Sequence, residues 1–296
     1  MTAGVRRGRA AAARFAALTA LALAAGVPSP GAAQGGPAPS PSPPASPAAA
    51  SPLGPALGPN DTCTTISAIV TRPTVTNAVC TVRPNHAEIE GGYQNTSYPG
   101  GGNLVAYPQA LIRVGTTIPA LEVQVVPPNV LRATSGGPAV TGVSDAGFGL
   151  KYVVGSSPKM VYGVQANATV PSGSAAFSAN GTQYLYAAQA SYGLSPALSL
   201  TAGAQDQILF AGGRAYGSFV PSLVLSASLA GATSLYVEGA QFTRALGPGT
   251  PTRTQFIYGV ARGVGQRLQL DLEAGFSPTD ATGHYHYVGF GFGYGW

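Results

Sequence analysis

The chain has 296 residues, enough for one large β domain or two ordinary ones. Charged residues make up only 8%, against roughly 25% in a typical soluble domain, yet no apolar run of about 18 residues lies beyond the first 30 positions, so no mature transmembrane helix is expected. The formal charge of +5 is misleading: without Arg6, Arg7, Arg9 and Arg14 the 15 basic residues fall to 11 against 10 acidic ones, and nucleic-acid binding loses its electrostatic basis.

Those four arginines form the n-region of an expected signal peptide over residues 1–33. Phe15 to Val27 supply the apolar h-region, and Gly31-Ala32-Ala33 a small-residue cleavage site. A single membrane anchor is the competing reading, but the apolar run is short and ends in Pro28 and Pro30. With no cysteine near the cleavage site, a lipoprotein is not expected. Residues 34–60 are almost wholly Pro, Ala, Ser and Gly, a composition for an extended, semi-rigid linker. Residues 61–85 hold Pro73, a small apolar stretch (Ile66 to Val70) and the two cysteines of the chain, and are expected to be a short periplasmic or plug segment. In an oxidising periplasm the pair Cys63 and Cys80 reads as a disulfide.

Residues 86–296 follow a period of two. Leu268, Leu270 and Leu272 alternate with Gln269, Asp271 and Glu273, and Leu121, Val123 and Val125 with Glu122 and Gln124. Phe148, Leu150, Tyr152 and Val154 share one parity, as do Phe219, Pro221, Leu223 and Leu225 opposite Ser218, Ser222 and Ser226. Such alternation puts one class of side chain on each face of a strand. Five short turns recur around Gly115, Gly155, Gly193, Gly231 and Gly265, at intervals of 40, 38, 38 and 34 residues by simple difference of position. That period is two strands of roughly ten residues, one tight turn and one longer loop. Longer connections are expected near 96–103, 127–142, 171–181, 206–215, 244–253 and 277–283. Five turns and six loops join twelve strands. The expected fold is therefore all-β: a transmembrane antiparallel β-barrel of about 12 strands in the outer membrane of a Gram-negative bacterium, with both termini on the periplasmic, short-turn side. A soluble sandwich would not need short and long connections to alternate so regularly.

The last strand adds a further signal. Val288, Phe290, Phe292, Tyr294 and Trp296 share one parity, with glycine at 289, 291, 293 and 295. In water this face is an aggregation hazard; in lipid it is the required face. Phe290, Phe292, Tyr294 and Trp296 are taken as an assembly signal for the barrel-assembly machinery, which with outer-membrane lipid and small solutes makes up the expected partners.

Four segments resemble one family. They are Gly142-Val143-Ser144-Asp145-Ala146-Gly147-Phe148-Gly149-Leu150-Lys151-Tyr152, Val170-Pro171-Ser172-Gly173, Leu235-Tyr236-Val237-Glu238 and Leu270-Asp271-Leu272-Glu273-Ala274-Gly275. Their order and spacing are similar to those of the phenol-degradation (MetA pathway) outer-membrane "transporter" family, over about residues 86–296. The resemblance implies a barrel for uptake of hydrophobic or aromatic compounds and does not carry a particular substrate with it.

With the apolar parity in lipid, Glu88, Glu90, Glu122, Asp145, Glu238, Asp271, Glu273, Arg113 and Lys151 fall inside, since a bare charge at the bilayer midplane costs several kcal/mol. Seven acids to two bases suit a cation-leaning pore lining; equally, they suit a ladder of structural ion pairs across a narrow lumen. His284-Tyr285-His286 has metal-like spacing but no third ligand, so an interfacial aromatic belt is the better reading. Ser277 near His284 lacks an orienting acid or oxyanion donor, and no enzyme is expected. The glycines at 289–293 precede no helix and are strand glycines rather than a phosphate loop. No cofactor or metal is called for. The reading is an outer-membrane channel for passive uptake of small solutes, with a structural or adhesive barrel of filled lumen as the alternative.

Overall fold

The computed structural model describes residues 61–244, 247–279 and 284–296. The expected signal peptide (1–33) and linker (34–60) lie outside the described residues.

Fifteen strands follow a short N-terminal segment that carries one helical turn, α1 (Ile66–Ile69). They are β1 (Ala87–Ser97), β2 (Asn103–Tyr107), β3 (Leu111–Gly115), β4 (Leu121–Val126), β5 (Val130–Thr134), β6 (Val140–Val143), β7 (Ala146–Ser156) and β8 (Met160–Val170). Next come β9 (Gln183–Gly193), β10 (Leu198–Ala211), β11 (Arg214–Leu229), β12 (Thr233–Phe242), β13 (Arg253–Val264), β14 (Leu268–Thr279) and β15 (Tyr285–Gly295). Every pairing between these strands is antiparallel, and β15 returns to β1, from Glu88↔Gly295 to Ser97↔His286, so the sheet closes.

The fifteen strands make twelve staves. β2 and β3 are two parts of one stave, as are β4 with β5 and β6 with β7, because β3–β4–β7 and β2–β5–β6 pair side by side. The interruptions fall at Pro108, at Pro127-Pro128 and at Ser144-Asp145. Proline has no N–H for the ladder, so pairing stops where it sits. The gap is bridged by Asn129: its Oδ1 accepts from Ala110 N at 3.1 Å, its own N donates to Ser144 Oγ at 2.9 Å, and its carbonyl accepts from Ser144 N at 2.8 Å.

All five expected short turns are present, each joining the strands it was expected to join. Two of the expected loops are not loops. Within 127–142 the chain forms β5 and β6 around a connection of 135–139, and within 206–215 it continues as β10 and β11 through Gly212-Gly213. Both glycines have positive φ (56° and 76°), the backbone that a two-residue hairpin turn requires. Residues 127–142 are rich in Gly, Ser, Thr and Pro, and 206–215 combine Gly212-Gly213 with the consecutive apolar run Ile208-Leu209-Phe210-Ala211, so the apolar alternation fades in both. Their backbone groups still pair in a ladder, so composition read as loop what hydrogen bonding makes strand.

Along each stave the outward parity is apolar and exposed: Leu150, Leu223, Val237, Tyr258, Phe290 and, at 60%, Leu272. The inward parity is polar and buried, including Gln124, Gln165, Gln189, Gln205, Ser222 and Gln255. This is the inverse of a water-soluble barrel, and closure leaves among the described strands only the four-residue β6 laddered on one side.

Candidate functional site

The interior at the short-turn end is occupied by residues 61–85. This segment has a small apolar core of its own: Ile66, Ile69, Val70, Val79 and Val82 gather round the Cys63–Cys80 disulfide and pack on Val161 of β8. Apart from the bridge between Pro84 and Gly115 it forms no β-ladder with the wall. Its backbone polar groups are buried and still require partners. The charged side chains of the barrel supply them.

The acids take its N–H groups. Glu90 accepts from Thr71 N and Arg72 N at 2.8 and 2.7 Å, Glu238 from Val75 N and Thr76 N at 2.8 and 2.6 Å, and Glu122 from Val82 N at 2.7 Å. The bases take its C=O groups. Arg113 donates to the carbonyls of Ile69 and, at 2.8 Å, Cys80, and Lys151 Nζ to Ala78 O at 2.7 Å. Hydrogen bonds to ionised partners are about twice as strong as neutral ones, which suits a segment held without a ladder.

The same charges also pair with one another. Arg113 lies 3.1 Å from Glu88, 3.3 Å from Glu90 and 2.9 Å from Glu122, and Lys151 3.9 Å from Glu122. Asp271 and Glu273, on β14, each lie 3.6 Å from Arg72 of the segment. Arg83 pairs with Asp61 and donates to Cys63 O at 2.7 Å. Thus eight of the nine charged residues singled out from the sequence meet the segment or each other inside the barrel.

Asp145 stands apart. Its carboxylate accepts from Ser172 N, Gly173 N and Ala179 N at 3.0, 2.8 and 2.9 Å, tying the 171–182 connection back to the rim. Burial would raise its pKa, but the amides of Ala179 and Gly173, with Ser178 and Ser172, hold it below the ordinary aspartate value.

Sequence reasoning did not single out Arg72, Arg83 or Thr76, which lie in the segment. A signal was present in the inward glycines. A Cβ on Gly293 would lie 2.3 Å from Val70, one on Gly291 2.3 Å from Arg72 Nε, and one on Gly115 1.8 Å from the Arg83 carbonyl oxygen. The glycine parity of β15 is a floor on which the segment rests.

The segment fills only part of the cross-section. Between it and the inner faces of β9 to β12 lies a cavity of about 380 Å³, with Ser191, Ser199, Thr201, Ser226 and Ser228 on the wall side and Thr65 and Ser67 on the segment side.

Phe290, Phe292, Tyr294 and Trp296 all project outward and are exposed. Tyr294 and Trp296 stack with ring centroids 6.1 Å apart, and Tyr93 of β1 stacks on Phe290 at 5.5 Å. His284 and His286 are exposed while Tyr285 between them is buried inward, and the Ser277 hydroxyl donates to Thr254 O at 2.7 Å.

No family model matches the sequence, and no curated protein matches it. The fold is similar to solved barrels. An outer-membrane channel from Pseudomonas putida F1 shares 13% identity at a TM-score of 0.56, over 76% of this chain and 100% of that one. The NanC porin shares 8% identity at a TM-score of 0.51, over 70% of this chain and 98% of that one. At these identities the likeness is one of fold, and function has to be argued from the interior.

Proposed function

We propose that this chain is an outer-membrane channel for small solutes, in which residues 61–85 form an internal plug and the solute passes beside it. The observation that carries this is the cavity between plug and wall, set inside a closed barrel with an apolar exterior. The fold is that of proteins named as a channel and a porin, which supports the same reading. The short turns and both ends of the barrel lie on the periplasmic side, and the 135–139 and 171–182 connections face outward. The family resemblance would make the solute hydrophobic or aromatic; the hydroxyl-rich wall of the cavity argues for a polar one.

The carboxylates act here mainly as anchors. Glu90, Glu238 and Glu122 hold plug amides, so a selectivity filter made of free acids is not required. The plug itself favours a second reading, a structural barrel with a filled lumen. Planar-bilayer recording of the full mature chain separates the two: discrete conductance steps support the channel, and silence at every voltage assigns the barrel to the structural class. An epitope at Gly137 reachable on intact cells, with one at Gly231 unreachable, fits the orientation; the converse refutes it.

A further inference from the structure

We propose that the cavity between residues 62–80 and the inner faces of β9 to β12 binds a neutral, polyhydroxylated solute of about monosaccharide size. This rests on the channel reading and names the class of solute that channel takes. The cavity volume of about 380 Å³ falls in the range of small-ligand sites, roughly 300–1,000 Å³.

Its chemistry is specific. Hydroxyl side chains dominate the barrel wall, the segment adds those of Thr65, Ser67, Thr74 and Thr76 among apolar residues, and a hydroxyl both donates and accepts, as a sugar hydroxyl does. Among the described residues lining the cavity Arg72 alone is charged, and Asp271 and Glu273 already lie beside it. An anionic solute would meet those two carboxylates next to the one cation. A cationic solute would find them engaged with Arg72. Val79, Val161 and Val224 add apolar contacts the size of the C–H face of a sugar ring but no aromatic cage.

A second observation points to a ligand. Tyr236, 6% exposed, is among the residues lining the cavity, and its hydroxyl has no hydrogen-bond partner. A buried polar group left without a partner is destabilising. A ligand hydroxyl that reaches the Tyr236 hydroxyl removes that cost.

The test is saturation-transfer NMR on the full mature chain in a detergent without sugar headgroups, with D-glucose, sodium galacturonate, choline and sodium benzoate as probes. Glucose should show saturable transfer, and the charged and aromatic probes little. Tyr236→Phe, and separately Thr201→Val with Ser226→Ala, should weaken glucose binding several-fold while the barrel keeps its heat-modifiable migration. Absence of glucose transfer, stronger transfer to any other probe, or unchanged binding in both folded variants overturns the assignment. Conductance is read separately. A chain that binds glucose but never conducts refutes the channel and keeps the site; one that conducts but does not bind keeps the channel and refutes the site.

Discussion

Arg113 on β3 grips Glu122 on β4 with two parallel hydrogen bonds, Nε to Oε1 and Nη2 to Oε2, both 2.9 Å long and both fully buried. The remaining donors of Arg113 reach Glu88, Glu90 and the carbonyls of Ile69 and Cys80. With a further bond to the Thr71 hydroxyl at 3.3 Å, one guanidinium joins three wall carboxylates to three points on the plug. Removing one partner of a buried ion pair costs about 3–5 kcal/mol, because the other charge is left uncompensated. Arg113→Met is expected to loosen the plug within a standing barrel. Limited thermolysin treatment in detergent reads this: cleavage within residues 61–85, before the exposed or loosened Ile, Val and Ala residues there, should accelerate in the variant while the barrel remains heat-modifiable. Equal cleavage in wild type and variant would show that Arg113 does not hold the plug.

Gly115 makes a sharper steric prediction. Any Cβ there would lie 1.8 Å from the Arg83 carbonyl oxygen, a backbone atom at the root of the plug that cannot swing aside. Overpacking of this kind costs about 1–3 kcal/mol or more. Gly193, at the end of β9, has only the Lys159 carbonyl oxygen within reach, at 3.7 Å, an ordinary contact. Gly115→Ala should lower the urea midpoint clearly, and Gly193→Ala should leave it within error. Matching midpoints would mean that the plug root is free to shift.

The disulfide belongs to the plug alone. Cys63 and Cys80 are 17 positions apart, and every barrel strand begins after Cys80. Cross-linking a loop of that size constrains the unfolded chain by roughly 3 kcal/mol in the chain-entropy model. In a Cys63→Ala, Cys80→Ala variant the barrel should still assemble, and proteolysis should be confined to residues 61–85. Failure to assemble would give the disulfide a role in barrel formation.

Trp296 ends the chain on the lipid side of β15, and its backbone pairs with Ala87 through hydrogen bonds of 2.9 and 3.0 Å. Replacing its side chain leaves those bonds in place and removes an aromatic stacked on Tyr294. Trp296→Ala should reduce the yield of heat-modifiable barrel in cells, and Trp296→Phe should restore most of it. Identical yields for all three chains would remove the aromatic from the assembly signal.

The stave number, the five tight turns and the inward parity of the charges were all legible in the sequence, because each depends on a period-two pattern that lipid imposes on one face of each strand. β5, β6 and the hairpin at Gly212-Gly213 were not, since the apolar alternation fades in those segments. The partners of Glu90, Glu238 and Lys151 were also hidden. Those partners are backbone amides and carbonyls of Thr71, Arg72, Val75, Thr76 and Ala78, and a backbone group leaves no mark on composition. Parity places a charge inside a barrel; it does not say what the charge meets there. The glycines facing Val70, Arg72 and Arg83 carried that information, but a glycine in a strand reads as tolerance until the object above it is known.

The β1–β15 seam closes the sheet over the plug. Residues 61–85 lead directly into β1, and β15 pairs with β1 over ten residues. The plug touches staves on both sides of that seam, through Glu90 on β1 and Gly293 on β15. While the seam is open, the plug can enter sideways; once it has closed, the only routes are the two ends of the cylinder. The N-terminal segment thus lies across the seam, and the closed sheet shields its charges from bulk water.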